Sequence, residues 1–97
     1  MNWTQATSGA GWSGRYSHTS SVFDNKIWIM GGFSSTPYIN DVWYSSDGVN
    51  WTQATSSAGW SGRSSPTSFV FNNKLWITGG FHFSSSNGGW YNDVWSW

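Results

Sequence analysis

Apolar positions along the chain come in short runs separated by Ser-, Gly- and Asn-rich stretches, and the runs fall into two matching sets. In the first set NWTQAT (residues 2–7) alternates apolar and polar positions and gives way to the loop SGAGWSG. HTSSVF (18–23), KIWIM (26–30, followed by Gly31-Gly32) and DVWYS (41–45) come next. Alternation and richness in β-branched and aromatic residues are strand signals. Asp24-Asn25 tolerates the positive φ of a tight hairpin, and Asp47-Gly48 is a second hairpin signal. The second set runs NWTQAT (50–55), PTSFVF (66–71), Asn72-Asn73, KLWIT (74–78), Gly79-Gly80 and NDVW (92–95).

The two sets are copies. Aligning Asn2 with Asn50 keeps step for 32 positions, through Phe33 and Phe81. Only seven pairs differ: Gly9/Ser57, Tyr16/Ser64, His18/Pro66, Ser21/Phe69, Asp24/Asn72, Ile27/Leu75 and Met30/Thr78. The following loop is four residues longer in the second copy, and step resumes at NDVW (Asn40 and Asn92). Self-similarity at a period of about 50 residues marks a repeat architecture. The repeats divide as 1–49 and 50–97, and four antiparallel strands per repeat make a propeller blade.

Arg15 before a hydrophobic strand, the doublet Gly31-Gly32, NDVW and Trp51 together resemble the kelch motif. Arg63, Gly79-Gly80 and Asn92 to Trp95 repeat it, so the resemblance covers essentially the whole chain. It implies blades running from an inner strand A to an outer strand D, with HTSSVF as A, KIWIM as B, DVWYS as C and NWTQAT as D. The chain then reads D-A-B-C-D-A-B-C. It starts with an outer strand separated from its blade and ends with a blade lacking its outer strand, as in a two-blade fragment or an engineered unit. The expected fold is all-β: two four-stranded antiparallel kelch-like propeller blades, completing a six-bladed, alternatively eight-bladed, β-propeller by homo-oligomerisation. Two blades alone leave an aromatic face and a strand edge open. Outer strands exchanged head to tail would close the ring as a homotrimer, with a homotetramer next.

Composition narrows the functions. Four basic and four acidic residues, with no Glu, give zero net charge, so no basic footprint for nucleic acid or an anionic membrane is present. Absence of Cys excludes disulfides and thiolate metal sites. No apolar run is long enough to cross a bilayer as a helix, and NWTQAT after Met1 lacks signal-peptide character. Only 8% of residues are charged, a neutral, hydroxyl-rich composition commoner outside cells.

Most of the ten Trp belong to the fold, since large aromatics bury enough area to hold small sheets together. Trp3, Trp43, Trp51 and Trp95 recur in strands, beside Gly31, Gly32, Gly79 and Gly80 as motif positions. Trp12 and Trp60 differ, because they lie in AGWSG loops. They either cap the adjacent blade or form a stacking platform. The D–A and B–C loops share one propeller face, which adds His82, Asn87 and Trp90 from the longer loop. Arg15 and Arg63 stand at the start of strand A, with Asp41 and Asp93 as partners or turn formers. The candidate ligand residues are therefore Trp12, Arg15, Trp60, Arg63, His82 and Trp90. No cofactor and no metal are expected, since His18 becomes Pro66 in the other copy.

Enzyme readings fare badly. SSDGVNW (45–51) resembles the Asp-box hairpin of sialidase propellers but is one residue short, and a sialidase needs a catalytic Glu. Galactose oxidase, with kelch-type blades, needs a Cys-linked Tyr. The leading expectation is a non-enzymatic, self-assembling propeller module. A lectin is the first alternative, because residues 2–14 and 50–62 are similar to the repeat of tachylectin-type propellers and indoles stack on sugars. A kelch-type protein-binding scaffold is the other, so a glycan or a protein is the expected outside ligand.

Overall fold

A computed structural model describes residues 2–34, 38–83 and 88–97. The strands are β1 (Thr19–Phe23), β2 (Lys26–Met30), β3 (Val42–Ser45), β4 (Thr52–Thr55), β5 (Thr67–Phe71), β6 (Lys74–Thr78), β7 (Phe81–Phe83), β8 (Gly88–Trp90) and β9 (Val94–Ser96). β1, β2, β3 and β4 form one antiparallel meander, the first blade. β5, β6 and β9 form the second blade, which has three strands. Strands A, B and C fall where the sequence sets them in both copies. The two-residue turns are left-handed throughout, with φ of 53° and 59° at Asp24-Asn25 and 54° and 59° at Asn72-Asn73. That is the backbone a two-residue hairpin needs to match strand twist.

NWTQAT occurs twice and adopts two states. In the second copy, residues 52–55 pair with β3 as β4. In the first copy the same letters form no strand, and Trp3 is 92% exposed. Trp3 thus packs in neither blade of the single chain. A strand's backbone groups are satisfied only by a partner strand, and residues 2–7 have none among the described residues. The long second B–C loop also departs from expectation: its flanks pair as the hairpin β7–β8. Asn87 lies outside the described residues.

Alternation directs the core. Trp28 and Met30 of β2 and Val42 of β3 point at the second blade, where Leu75 and Ile77 of β6 meet them. Trp60, from the loop joining the blades, completes this cluster. Each aliphatic side chain buried there contributes about 1.5–3 kcal/mol. Nearer the inner strands the joint is polar. The Ser68 hydroxyl lies 2.7 Å from that of Thr19 and 2.6 Å from that of Ser21, tying β5 to β1. Backbone bonds lock the loops, with Gly32 N–H donating to the Arg63 carbonyl at 2.8 Å and Ser65 N–H to the Ser17 carbonyl at 2.7 Å.

Candidate functional site

One buried unit is built twice. Arg63 donates to both carboxylate oxygens of Asp93, at 2.5 and 2.9 Å, to the Gly79 carbonyl at 3.0 Å and to the Ser61 carbonyl at 3.0 Å. The indole N–H of Trp95 donates to the same carboxylate at 2.9 Å. Arg15 repeats this with Asp41 at 2.5 and 3.0 Å, the Gly31 carbonyl at 3.2 Å and the Ser13 carbonyl at 3.1 Å, and Trp43 donates to Asp41 at 2.9 Å. A bidentate guanidinium–carboxylate fork is among the stronger side-chain contacts. It clamps the D–A loop to the end of strand B and the start of strand C. Arg63 holds the Asp93 carboxyl down at about 2, the Trp95 N–H adding to this and desolvation opposing it.

This assignment corrects part of the candidate ligand set. Arg63 is wholly buried, and its guanidinium also lies 4.1 Å from the Tyr91 ring centroid. Trp60 is buried in the joint between the blades. Neither is open to a ligand, because the neighbouring blade covers both. Arg15 is likewise committed to Asp41, its side chain 1% exposed. Trp12 is half-buried, edge-on to Trp51 with ring centroids 5.7 Å apart. His18, 6.1 Å from Trp12, is held below its ordinary pKa by burial first and by Arg15 second.

His82 and Trp90 both belong to the β7–β8 hairpin but point to opposite faces of it, since Trp90 pairs with Phe81 and His82 with Gly89. His82 stacks on Tyr38 of the other blade's B–C loop at 4.2 Å, and its Nδ1 is 3.1 Å from the Gly62 carbonyl. Trp90 is 76% exposed and packs against Phe81 and Phe83 at 5.2 Å each. The D–A and B–C loops thus share a face. Asp47 serves its turn: one carboxylate oxygen accepts from Val49 N–H and Asn50 N–H at 2.8 Å each, which holds its carboxyl well below the usual range.

Three residues outside the candidate ligand set join the blades. Asn40 donates from its amide to the Trp60 carbonyl at 3.2 Å and the Ala58 carbonyl at 3.4 Å. Its own carbonyl accepts from Ala58 N–H at 2.8 Å. Gly62 passes directly under the Tyr38 carbonyl. Asn40 and Gly62 had a signal in their recurrence as Asn92 and Gly14. Tyr38 had none, since Trp90 occupies its place in the second copy.

Two open surfaces mirror the internal joint. Phe71, Trp76 and Val94 of the second blade correspond to Phe23, Trp28 and Val42 of the first, yet face outward, with Val94 58% exposed against 2% for Val42. On the opposite side of the subunit Ile27, the counterpart of buried Leu75, is also exposed. The outer edge of β9 has no partner strand among the described residues.

Residues 14–44 match the model of the Kelch motif. Among solved structures, the chain is similar to one described as "Structure of YjhT", with 28% identity and a TM-score of 0.57. The likeness covers 70% of this chain and 21% of that one, so the chain spans about a fifth of the length of that structure. No curated protein matches the chain. The kelch motif read from Arg15, the glycine pair and NDVW is present, on an all-β framework of antiparallel blades.

Proposed function

We propose that this kelch-motif chain is a non-enzymatic scaffold whose two blades associate head to tail with further copies into a closed propeller. The observation that carries the reading is the duplication of the internal joint on the outside. One flank offers the face that the first blade presents to the second, and the other flank offers its complement. A heterologous contact between copies then repeats a packing already made within the chain. The β9 edge and the unpaired residues 2–7 are the matching halves of the β3–β4 pairing.

Six blades from three copies is the first expected ring, and eight from four the second. Deleting residues 2–7 tests the reading. The truncated chain should keep both blades and fail to close into a discrete oligomer. Closed assembly that survives the deletion contradicts strand exchange.

Exposed Trp90 favours a second reading, sugar stacking on the loop face. It predicts glycan binding lost in Trp90→Ala with assembly intact. A glycan array with no saturable binding contradicts it.

A further inference from the structure

A cavity of about 280 Å³ opens between the blades beside the β9 edge, lined among others by Ala58, Trp60, Leu75, Ile77, Trp95 and Trp97. Its lining sets indole and aliphatic groups beside the hydroxyls of Thr55 and Ser57, and it adjoins the unpaired β9 edge. Its counterpart on the first blade has an occupant. There, Trp51 precedes β4 and sits edge-on against Trp12, at 5.7 Å and 87°. Trp12 is the repeat equivalent of Trp60, and Trp51 of Trp3.

We infer that this cavity is the receptor for the Trp3 indole of a second copy, and that Trp3 anchors the exchanged strand. The inference rests on the head-to-tail reading and assigns its anchor and its register. In the first blade Trp43 pairs with Gln53 and Tyr44 with Thr52. Transferred to the second blade, the pairing sets Gln5 opposite Trp95 and Thr4 opposite Ser96. One step further sets Trp3 opposite Trp97, on the face that looks into the cavity, since strand side chains alternate. Trp97 already leans towards the first blade, 5.5 Å from Trp28. An incoming indole therefore finds Trp97 at its side as a cross-strand aromatic partner and Trp60 at its end. In the single chain Trp3 contributes no buried surface, being 92% exposed. Its removal leaves the subunit itself intact.

The chain has no cysteine, so single thiols report contacts cleanly. Chains carrying Trp3→Cys and chains carrying Trp97→Cys are mixed and oxidised. A disulfide needs Cα atoms about 4.4–6.8 Å apart, which directly opposed strand positions satisfy. Disulfide-linked pairs should form in the mixture and not with either variant alone, and Thr4→Cys, facing the other way, should link poorly to Trp97→Cys. Independently, Trp3→Ala should raise the concentration for half-assembly by about 30-fold, the loss typical of a buried Trp anchor. An assembled protein that gives no Trp3–Trp97 cross-link, or Trp3→Ala assembling at the wild-type concentration, overturns the anchor while leaving head-to-tail assembly standing. A wild-type chain that stays monomeric overturns the reading beneath it.

Discussion

Gly62 lies so close to Tyr38 that a Cβ on it would stand 2.4 Å from the Tyr38 carbonyl oxygen, whereas its repeat equivalent Gly14 has nothing within 4 Å. The contact joins the first blade's B–C loop to the loop entering the second blade. Backbone cannot swing aside as a flexible side chain can, so the loops must separate if the space is filled. Gly62→Ala should therefore destabilise the single chain by at least about 1–3 kcal/mol, the range for overpacking. Gly14→Ala should leave subunit stability unchanged and weaken assembly, because the proposed ring would set Gly14 against the B–C loop of a neighbouring copy. Urea unfolding of both variants, beside their oligomer masses, checks the pair.

Asn40 and Asn92 divide in the same way. Asn40 bonds within the chain to the loop carrying Ala58 and Trp60, while Asn92 is exposed, and the proposed ring would set it against the equivalent loop of a second copy. Asn40→Ala should cost about 1–2 kcal/mol of subunit stability, because two loop carbonyls lose their donor. Asn92→Ala should shift the concentration for half-assembly and leave the unfolding midpoint of the dissociated chain in place.

The Arg63–Asp93 fork sets an acid limit. Asp93 is held at about 2 against an ordinary 3.8, by Arg63 first. A depressed carboxylate stabilises the fold in full above its unfolded value and loses that contribution as pH falls through its folded value. Stability should thus fall between about pH 4 and pH 2. Asp93→Asn should weaken the chain at neutral pH by about 1.5–3 kcal/mol, since charge-assisted bonds to buried Arg63 are lost. Its further loss from pH 4 to pH 2 should be smaller than that of the wild type. Denaturant midpoints at three pH values read both effects.

Asn73, with φ of 59°, sits where a β-branched side chain is strained. Asn73→Val should destabilise the second blade by about 1–2 kcal/mol, and Asn73→Gly should be close to neutral. Thermal unfolding distinguishes them.

Strand positions, the two-residue turns and the Arg–Asp pairing were legible because each depends on residues close in sequence or repeated in both copies. Asp24-Asn25 needs only its own two residues to turn, and Arg15 and Arg63 share a glycine-pair acceptor at the same spacing. Context decided the rest. NWTQAT reads as a strand wherever it occurs, but among the described residues only 52–55 have a partner strand, so Trp3 and Trp51 share letters and differ in state. Trp60 and Arg63 looked available because a loop sequence does not reveal that the next blade lies over it. Ser17 and Ser65 carry φ of 58° and 56°, left-handed values that serine does not advertise. Each follows a residue bridged to the far side of its own blade, Tyr16 to Phe33 and Ser64 to Phe81, a pairing that only the folded blade makes.

Native mass spectrometry of the full chain at micromolar concentration tests head-to-tail closure most directly. Closure predicts one discrete species of three copies of the 10.8 kDa chain, or of four, holding its stoichiometry as concentration rises. A 10.8 kDa monomer across the whole concentration range would contradict it.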